Sequence, residues 1–169
     1  MRGNPHPLRG SPLLRKGALW KGNIMKLLIL NGPNLNMLGI REPDIYGKTS
    51  YADLCDTIRA HAAKRGVEVE LYQSNHEGDL VDAIQNAYGV ADGIVFNPGA
   101  YTHTSVALLD ALKAVGIPTV EVHISDPDSR EAFRKISYIR AACVKTIRGH
   151  GLPGYLEAMD FLIDGEAGA

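Results

Sequence analysis

The sequence contains only two cysteines and no long hydrophobic run. Cys55 and Cys143 lie far apart and have no metal-ligand spacing, so we interpret both as free core thiols. Free thiols suit a reducing compartment, and we expect a cytoplasmic protein. Because no apolar run approaches the roughly 20 residues that cross a bilayer, we expect no membrane-spanning segment.

Cofactor motifs are also scarce. The chain has no G-x-x-x-x-G-K-[ST] phosphate loop and no H-E-x-x-H zinc motif. His61, His76 and His150 stand alone in the sequence and are expected to be surface or packing residues. We therefore predict that the protein uses no cofactor and no metal, and we expect no dinucleotide site.

Acidic residues are missing from residues 1–24, which are rich in Pro, Gly and Arg and have no periodicity. Five of the 18 basic residues lie there, so residues 25–169 carry 13 basic and 19 acidic residues, a net charge near −6. This balance does not favour a nucleic-acid partner, whose footprint is a basic face. We expect residues 1–24 to be a disordered leader or upstream extension without function, and residues 25–169 to form one domain.

The rest of the chain alternates short apolar strands with amphipathic helices, which predicts a parallel sheet covered on both faces. We predict the flavodoxin-like doubly wound α/β fold, with five strands in the order 2-1-3-4-5. The predicted strands cover residues 27–30, 67–71, 93–96, 118–124 and 143–147. The predicted helices run from Thr49 or Ser50 to Gly66 and over residues 78–88, 102–115, 130–135 and 153–163.

A long loop is predicted over residues 35–48, after the first strand stops at Asn31-Gly32-Pro33-Asn34. Structureless loops of this length are uncommon inside compact domains and are usually lids or binding loops. The alternative is a surface excursion, but the Ile, Leu, Met and Tyr of this segment argue against permanent solvation. We favour a lid.

Polar side chains follow the strands at the edge where this fold binds ligands. The residues at these carboxyl ends are Asn31 and Asn34 after strand 1, Asn97 after strand 3, and His123 and Ser125 after strand 4. In doubly wound sheets the ligand lies outside the carboxyl ends, at the switch point between strands 1 and 3. The sequence therefore predicts a pocket there, although Asn31 and Asn34 can equally be plain turn formers.

Glu121 and His123 lie two residues apart in a strand, so they share one face and the carboxylate can support the imidazole. An isolated His at a strand end is more often a hydrogen-bonded core residue than a catalyst. A Glu in a buried strand, however, is costly without a partner, and we favour catalysis.

Tyr46 ends the predicted lid, five residues after Arg41. A tyrosine titrates near 10, so it acts as a base only where cations lower its pKa. Arg41 is the nearest cation in sequence, and Arg134 could reach the site from the loop after strand 4. The alternative is a packing aromatic with a wet hydroxyl.

Asn97 and His103 offer hydrogen-bond donors, and a helix predicted to begin near Thr102 would add free N–H groups. Ordinary capping explains Thr102 and Thr104 equally well. The residues by themselves indicate proton transfer on a small oxygenated anion, such as an elimination or isomerisation. A flavin carrier would need a Ser/Thr-rich phosphate loop after strand 1, and a receiver domain would need paired acids there, and this sequence has neither.

The chain resembles the type II 3-dehydroquinate dehydratases of the shikimate and quinate pathways over about residues 25–163. The matching segments are LNGPNLNMLGIREPDIYG, SNHEG, NPGAYTHTSVALLDAL, PTVEVHISD, REAFRKISY and GLPGYLEAM. The resemblance implies dehydration of 3-dehydroquinate to 3-dehydroshikimate through an enolate, without a metal or a Schiff base. Residues 1–24 lie outside the family's pattern.

The resemblance also implies a role for each matching residue. Tyr46 would take the proton from C2, kept ionised by Arg41, and Asn34 would hold a water at the enolate oxygen. His123, oriented by Glu121, would protonate the leaving C1 hydroxyl. The residues implied to bind substrate are Asn97, His103, Ile124, Ser125 and Arg134, with Asp110 reaching a neighbouring subunit's site in a homododecamer of four trimers.

Overall fold

The computed structural model describes residues 24–40, 49–129 and 131–165, with the side chain of Asp128 left out. The strands within these residues are β1 (Lys26–Asn31), β2 (Glu68–Gln73), β3 (Gly93–Asn97), β4 (Thr119–His123) and β5 (Lys145–Arg148). The α-helices are α1 (Tyr51–Arg65), α2 (Glu77–Asn86), α3 (Val106–Val115) and α4 (Pro153–Asp164). None of these helices is both long enough and apolar enough to cross a bilayer.

The five strands form one parallel sheet in the order β2-β1-β3-β4-β5, so the predicted fold and strand order are confirmed. The change of direction falls between β1 and β3, where Asn31 lies in register with Asn97. The central strands β1, β3 and β4 are buried along almost their whole length, whereas β2 alternates between exposed and half-buried residues. This is the expected difference between inner strands of a parallel sheet and an edge strand.

Alternate residues of the central strands feed two hydrophobic cores, one on each face of the sheet. On one face, α1 and α4 pack against the sheet through Ile58 and Met159. On the other face, α2 and α3 pack through Ile84 and Leu108. Glu121 and His123 lie on the strand face that alternates with Val120 and Val122, which belong to the first core.

The helix ends follow the capping signals of the sequence in most places. Ser50, one of the two predicted caps, begins α1 in a reciprocal capping box with Asp53, and Gly66 ends that helix as predicted, in the left-handed conformation. The helix predicted over residues 102–115 is wrong at its start. Gly99–His103 form a 3₁₀ turn, and α3 begins at Val106 with Ser105 as its cap.

Two further predictions of local structure need correction. The loop predicted over residues 35–48 is not structureless at its start, because Leu35–Met37 form a 3₁₀ turn that buries Leu35 and, just after it, Leu38. Residues 41–48 lie outside the described part of the chain. The predicted helix over residues 130–135 is only a 3₁₀ turn at Ala132–Lys135.

Gly32 is the point where the chain leaving β1 crosses the chain leaving β3. Its N–H donates to the carbonyl of Asn97 over 2.7 Å. A Cβ atom at Gly32 would lie 2.3 Å from the carbonyl oxygen of Pro98, which real Cβ atoms do not approach. Only glycine therefore permits the two strand ends to lie this close.

We expect Gly32→Ala to destabilise the protein by on the order of 3 kcal/mol, because backbone must move to make room for the methyl group. Urea unfolding followed by circular dichroism measures this change. Gly78→Ala is the matched control, since a Cβ at Gly78 in α2 meets nothing within 4 Å and alanine is the better helix former. Equal stability of the two variants would contradict the crossing described here.

Candidate active site

A cavity of about 190 Å³ opens at the carboxyl edge of the sheet, next to the switch point between β1 and β3. It lies where the strand order predicted a pocket. Residues after β1, after β3 and after β4 all contribute to it. Its lining includes Asn34, Asn97, His103, His123, Ile124, Ser125 and Arg134, together with the apolar Pro33, Leu35, Met37 and Leu38.

At this edge of the sheet, a buried series of hydrogen bonds joins the carboxyl ends of β1 and β3. The hydroxyl of Tyr155 in α4 donates to Asn31 Oδ1 over 2.6 Å, and Asn97 Nδ2 donates to the same hydroxyl over 2.9 Å. Asn97 Oδ1 also accepts the N–H of Gly99. Burial raises the pKa of Tyr155 far above its ordinary value, so this phenol is a structural donor. Sequence reasoning missed it.

His123 and Glu121 form the predicted pair. His123 Nε2 lies 2.8 Å from Glu121 Oε1, and the carboxylate is fully buried. Because Nε2 faces Glu121 and the ring lines the cavity, Nδ1 is the nitrogen left for a ligand. This is the arrangement by which a carboxylate fixes the tautomer and supports the charge of an imidazole.

Hydroxyl groups from three other segments complete the surroundings of Glu121. Thr102 and Ser137 contact Oε1, and Thr146 contacts Oε2. Burial alone would raise the pKa of Glu121, but the hydrogen bond and charge of His123, followed by the hydroxyls of Thr102 and Ser137, lower the pKa to about 2. Glu121 is therefore ionised at neutral pH. No local pattern predicts that these hydroxyls meet Glu121, because each comes from a different loop or strand.

Of the other predicted site residues described below, three line the cavity and one does not. Asn34 adopts a left-handed conformation with φ 68°, and its N–H donates to Asn75 Oδ1. His103 Nδ1 lies 2.6 Å from the carbonyl of Ile136, and Arg134 Nε lies 2.6 Å from Glu131 Oε2. Asp110 is exposed on α3 and is not part of the cavity lining.

Tyr46 and Arg41 lie outside the described residues. Their predicted roles therefore stay predictions.

Two of the three histidines that sequence analysis took as isolated have partners. His61 Nε2 lies 2.7 Å from Asp160 Oδ1, which also accepts a hydrogen bond from Arg65, so this group ties α1 to α4. His150 Nδ1 lies 2.9 Å from Glu157 Oε2. Both histidines are structural, as predicted, although neither is isolated.

The run Gly149–Gly154, GHGLPG, fits the letters of the dinucleotide fingerprint G-x-G-x-x-G, which the expectation of no dinucleotide site left out of account. It follows β5 and opens α4, but it ends the sheet, and no further strand completes a dinucleotide unit after it within the described residues. Its N–H groups are used within the fold. Gly149 donates to the carbonyl of His123, and Gly151 donates to that of Ile124. The glycines therefore stabilise the carboxyl end of β4.

A larger groove of about 350 Å³ lies along β2 and α2, lined by none of the residues of the first cavity. Its rim is acidic, with Glu68, Glu70, Asp79 and Asp82, and Lys26 is paired with Glu68 there. It contains neither the Glu121–His123 pair nor an arginine, so volume alone does not identify the chemical site. Among the described residues, no group of three or more His, Cys, Asp or Glu is placed to hold a metal ion.

We expect acid to remove the stabilisation that Glu121 provides. A carboxyl whose pKa falls from 4.5 in the unfolded chain to about 2 in the fold stabilises above pH 4.5 and loses this contribution as the pH falls towards 2. Over that window the contribution is on the order of 3 kcal/mol. Glu121→Gln should therefore show a smaller acid-induced loss of unfolding free energy than the parent, measured by urea titration at several pH values.

Glu70→Gln is the control for this measurement, because Glu70 is exposed on the edge strand. The unfolding free energy of this variant should fall with pH by as much as that of the parent protein. An identical acid dependence in all three proteins would contradict an ionised, hydrogen-bonded Glu121.

The fold and the site together define an α/β protein with a pocket, lined by His123 of a buried carboxylate–imidazole pair, at the carboxyl edge of a doubly wound parallel sheet. The model of the family called dehydroquinase class II matches residues 25–163. The chain belongs to the class II dehydroquinase family.

Individual relatives are consistent with the family match. A 3-dehydroquinate dehydratase of Corynebacterium glutamicum (strain R) is 61% identical over 137 residues, which are 81% of this chain and 94% of the relative. The crystal structure of a type II dehydroquinase from Butyrivibrio crossotus is 52% identical, with a TM-score of 0.82 over 83% of this chain and 99% of that one. The corresponding structure from Propionibacterium acnes is 39% identical, with a TM-score of 0.81 over 85% and 100%.

Proposed function

We propose that this class II dehydroquinase removes water from 3-dehydroquinate to give 3-dehydroshikimate, by the division of labour described below. The observation that carries the proposal is the buried Glu121 carboxylate 2.8 Å from His123 Nε2, at a cavity where the ring's other nitrogen can serve a ligand. An elimination needs an acid for the leaving hydroxyl, and an imidazolium supported by a carboxylate supplies one near neutral pH.

His123 is the general acid in this proposal. It gives the proton on Nδ1 to the C1 hydroxyl, which leaves as water, and Glu121 holds Nε2 while the ring loses its charge. Tyr46 is the base that takes the proton from C2, kept ionised by Arg41. Positive charge around the tyrosine favours the phenolate and negative charge beside the histidine favours the imidazolium, which are the forms that the reaction requires.

Asn34 holds a water against the developing enolate oxygen, an oxyanion-hole role. Its left-handed backbone and its hydrogen bond to Asn75 fix its position at the cavity. Asn97, whose Nδ2 keeps a second hydrogen after donating to Tyr155, binds substrate together with His103. Ile124, Ser125 and Arg134 line the same cavity and complete the substrate contacts.

The test is absorbance near the enone band of 3-dehydroshikimate after fresh 3-dehydroquinate is added to protein that has been stripped of metal, treated with borohydride in the presence of 3-dehydroquinate, and then freed of both reagents. We expect the absorbance to rise, because the proposed residues need neither a metal nor a Schiff-base lysine. A flat trace from folded protein would contradict the proposal. A rising trace before treatment that is lost after it would instead implicate a contaminating enzyme that uses a metal or a Schiff-base lysine.

We also propose that the chain assembles as a homododecamer of four trimers, in which Asp110 completes a neighbouring subunit's site. Asp110 is exposed on α3, away from its own chain's cavity lining, which supports this role. Twelve copies of the 18.3 kDa chain amount to about 220 kDa, which light scattering can measure. The free thiols Cys55 and Cys143 support a cytoplasmic location.

A further inference from the structure

One oxygen of Glu121 has three polar neighbours. Oε1 lies 2.5 Å from Thr102 Oγ1, 2.8 Å from Ser137 Oγ and 2.8 Å from His123 Nε2. The two hydroxyls also lie 2.8 Å from each other. Thr102 and Glu121 have no solvent exposure, so water does not compete for these contacts.

Counting hydrogens shows which way the hydroxyls point. Thr102 Oγ1, Ser137 Oγ and Glu121 Oε1 form a triangle of three short contacts, but the two hydroxyls bring only two hydrogens. The contact between the hydroxyls holds at most one of them. At least one hydrogen is therefore donated to Oε1, in addition to the one from His123 Nε2. A carboxylate that receives such hydrogen bonds is held in its ionised form.

Within residues 24–40, 49–129 and 131–165, few charged or titratable groups lie around Glu121. His123 lies at Oε1, and Arg140 Nε lies 3.8 Å from Oε2 with its side chain 42% exposed. Burial first, and then the charge of Glu121, raise the pKa of Cys143 to about 12, so this thiol stays neutral. Thr146 Oγ1 contacts only the other oxygen, at 3.2 Å. His123 is therefore the group that exchanges a proton with Oε1.

We propose that Thr102 and Ser137 are positioning residues that keep the proton of the Glu121–His123 pair on His123, so that the imidazolium remains the acid. This proposal rests on the function proposed above. Without the hydroxyl donors, Oε1 becomes more basic and can take the proton from Nε2: the N–H bond breaks, an O–H bond forms, and both groups become neutral. A neutral imidazole is a much weaker acid towards the C1 hydroxyl.

The same contacts link the pair to the segment that carries Arg134. Ser137 lies three residues after Arg134, and the N–H of Tyr138 donates to the carbonyl of Thr102 over 2.9 Å. His103 Nδ1 lies close to the carbonyl of Ile136 in the same segment. A change of Ser137 can therefore also move Arg134. Thr102 lies outside that segment, in the 3₁₀ turn Gly99–His103. Thr102 is the cleaner residue to test.

The experiment measures kcat and KM against pH for the parent, Thr102→Val, Ser137→Ala and the double variant. We expect the plateau of kcat to fall about tenfold in the double variant and its alkaline limb to move to higher pH by about one unit, because the pair holds its proton more tightly but less often on His123. KM should change less than about twofold in Thr102→Val. Thr102→Ser should restore the limb, because it restores the hydroxyl. Thr119→Val and Ser129→Ala are the matched controls, since their hydroxyls donate to Ile117 and Asp126 carbonyls and not to Glu121.

A lower kcat with the limb in its original place would overturn the proposal, because a purely structural role changes the amount of active site and not its titration. A parent protein without turnover would instead contradict the proposed function. A readout independent of turnover is the ¹⁵N shift of His123 followed through a pH titration. The proposal is supported by a larger neutral-imidazole fraction below the alkaline transition, and by that transition lying at higher pH, in Thr102→Val than in Thr119→Val. Coincident titrations of the two folded variants overturn it.

Discussion

Tyr46→Phe should lower kcat by about 10³-fold or more while substrate still binds. The substitution removes the proposed base and almost no volume, and a positioned general acid or base contributes roughly 10²–10⁴-fold to a rate. Turnover is measured by the enone absorbance, and binding by calorimetric titration with 3-dehydroquinate. Because the enolate cannot form without a base, the titration should show heat of binding without heat of reaction.

Tyr88→Phe is the matched control, since Tyr88 is 71% exposed near the end of α2 and does not line the cavity. It should have the turnover of the parent protein. Wild-type turnover in Tyr46→Phe would rule out this tyrosine as the base, whereas loss of both binding and turnover would make it a substrate contact instead.

His123→Ala should lower kcat by about 10²–10⁴-fold, because the leaving hydroxyl then departs without a proton. The loss should be smaller for a substrate whose C1 leaving group is less basic, since such a group needs less help from an acid. Added imidazole should restore part of the rate in a pH-dependent manner. Steady-state assays with and without imidazole measure these effects.

His103→Ala distinguishes an acid from a second histidine in the same cavity. His103 Nδ1 lies 2.6 Å from the carbonyl of Ile136, and no carboxylate partner of its ring is found in the described structure. Its loss should raise KM more than it lowers kcat, and imidazole should not rescue it. Equal kcat losses in both variants, with equal rescue, would contradict the assignment of His123 as the acid.

The periodicity of the sequence was sufficient to predict the sheet, because buried parallel strands and capped helices leave local signals. The helix start at Val106 was missed because Thr102 looks like a cap. Its hydroxyl instead donates a hydrogen bond to Glu121, which is 19 residues away in the sequence. A helix-capping residue and a residue that supports a buried carboxylate cannot be told apart without the fold.

The site could be predicted where its residues lie in one strand or at a strand end. It could not be predicted where a contact joins residues of different elements. The spacing of Glu121 and His123 was enough to predict that they pair. The strand order was enough to predict that Asn97 and Ser125 lie at the pocket. Tyr155 was read as part of an ordinary helix, although its hydroxyl joins Asn31 to Asn97 across 124 and 58 residues. Contacts of such long range leave no trace in local patterns.

The support of the site by residues 149–155 has a consequence for protein synthesis. The carbonyls of His123 and Ile124 receive their hydrogen bonds from Gly149 and Gly151, and the β1–β3 edge receives Tyr155. All three donors emerge from the ribosome after every residue assigned here to catalysis. A nascent chain that stops before them leaves polar groups at the site open. The pocket is therefore completed only after residue 155 has been synthesised, and a product truncated before it carries the proposed catalytic residues without their geometry.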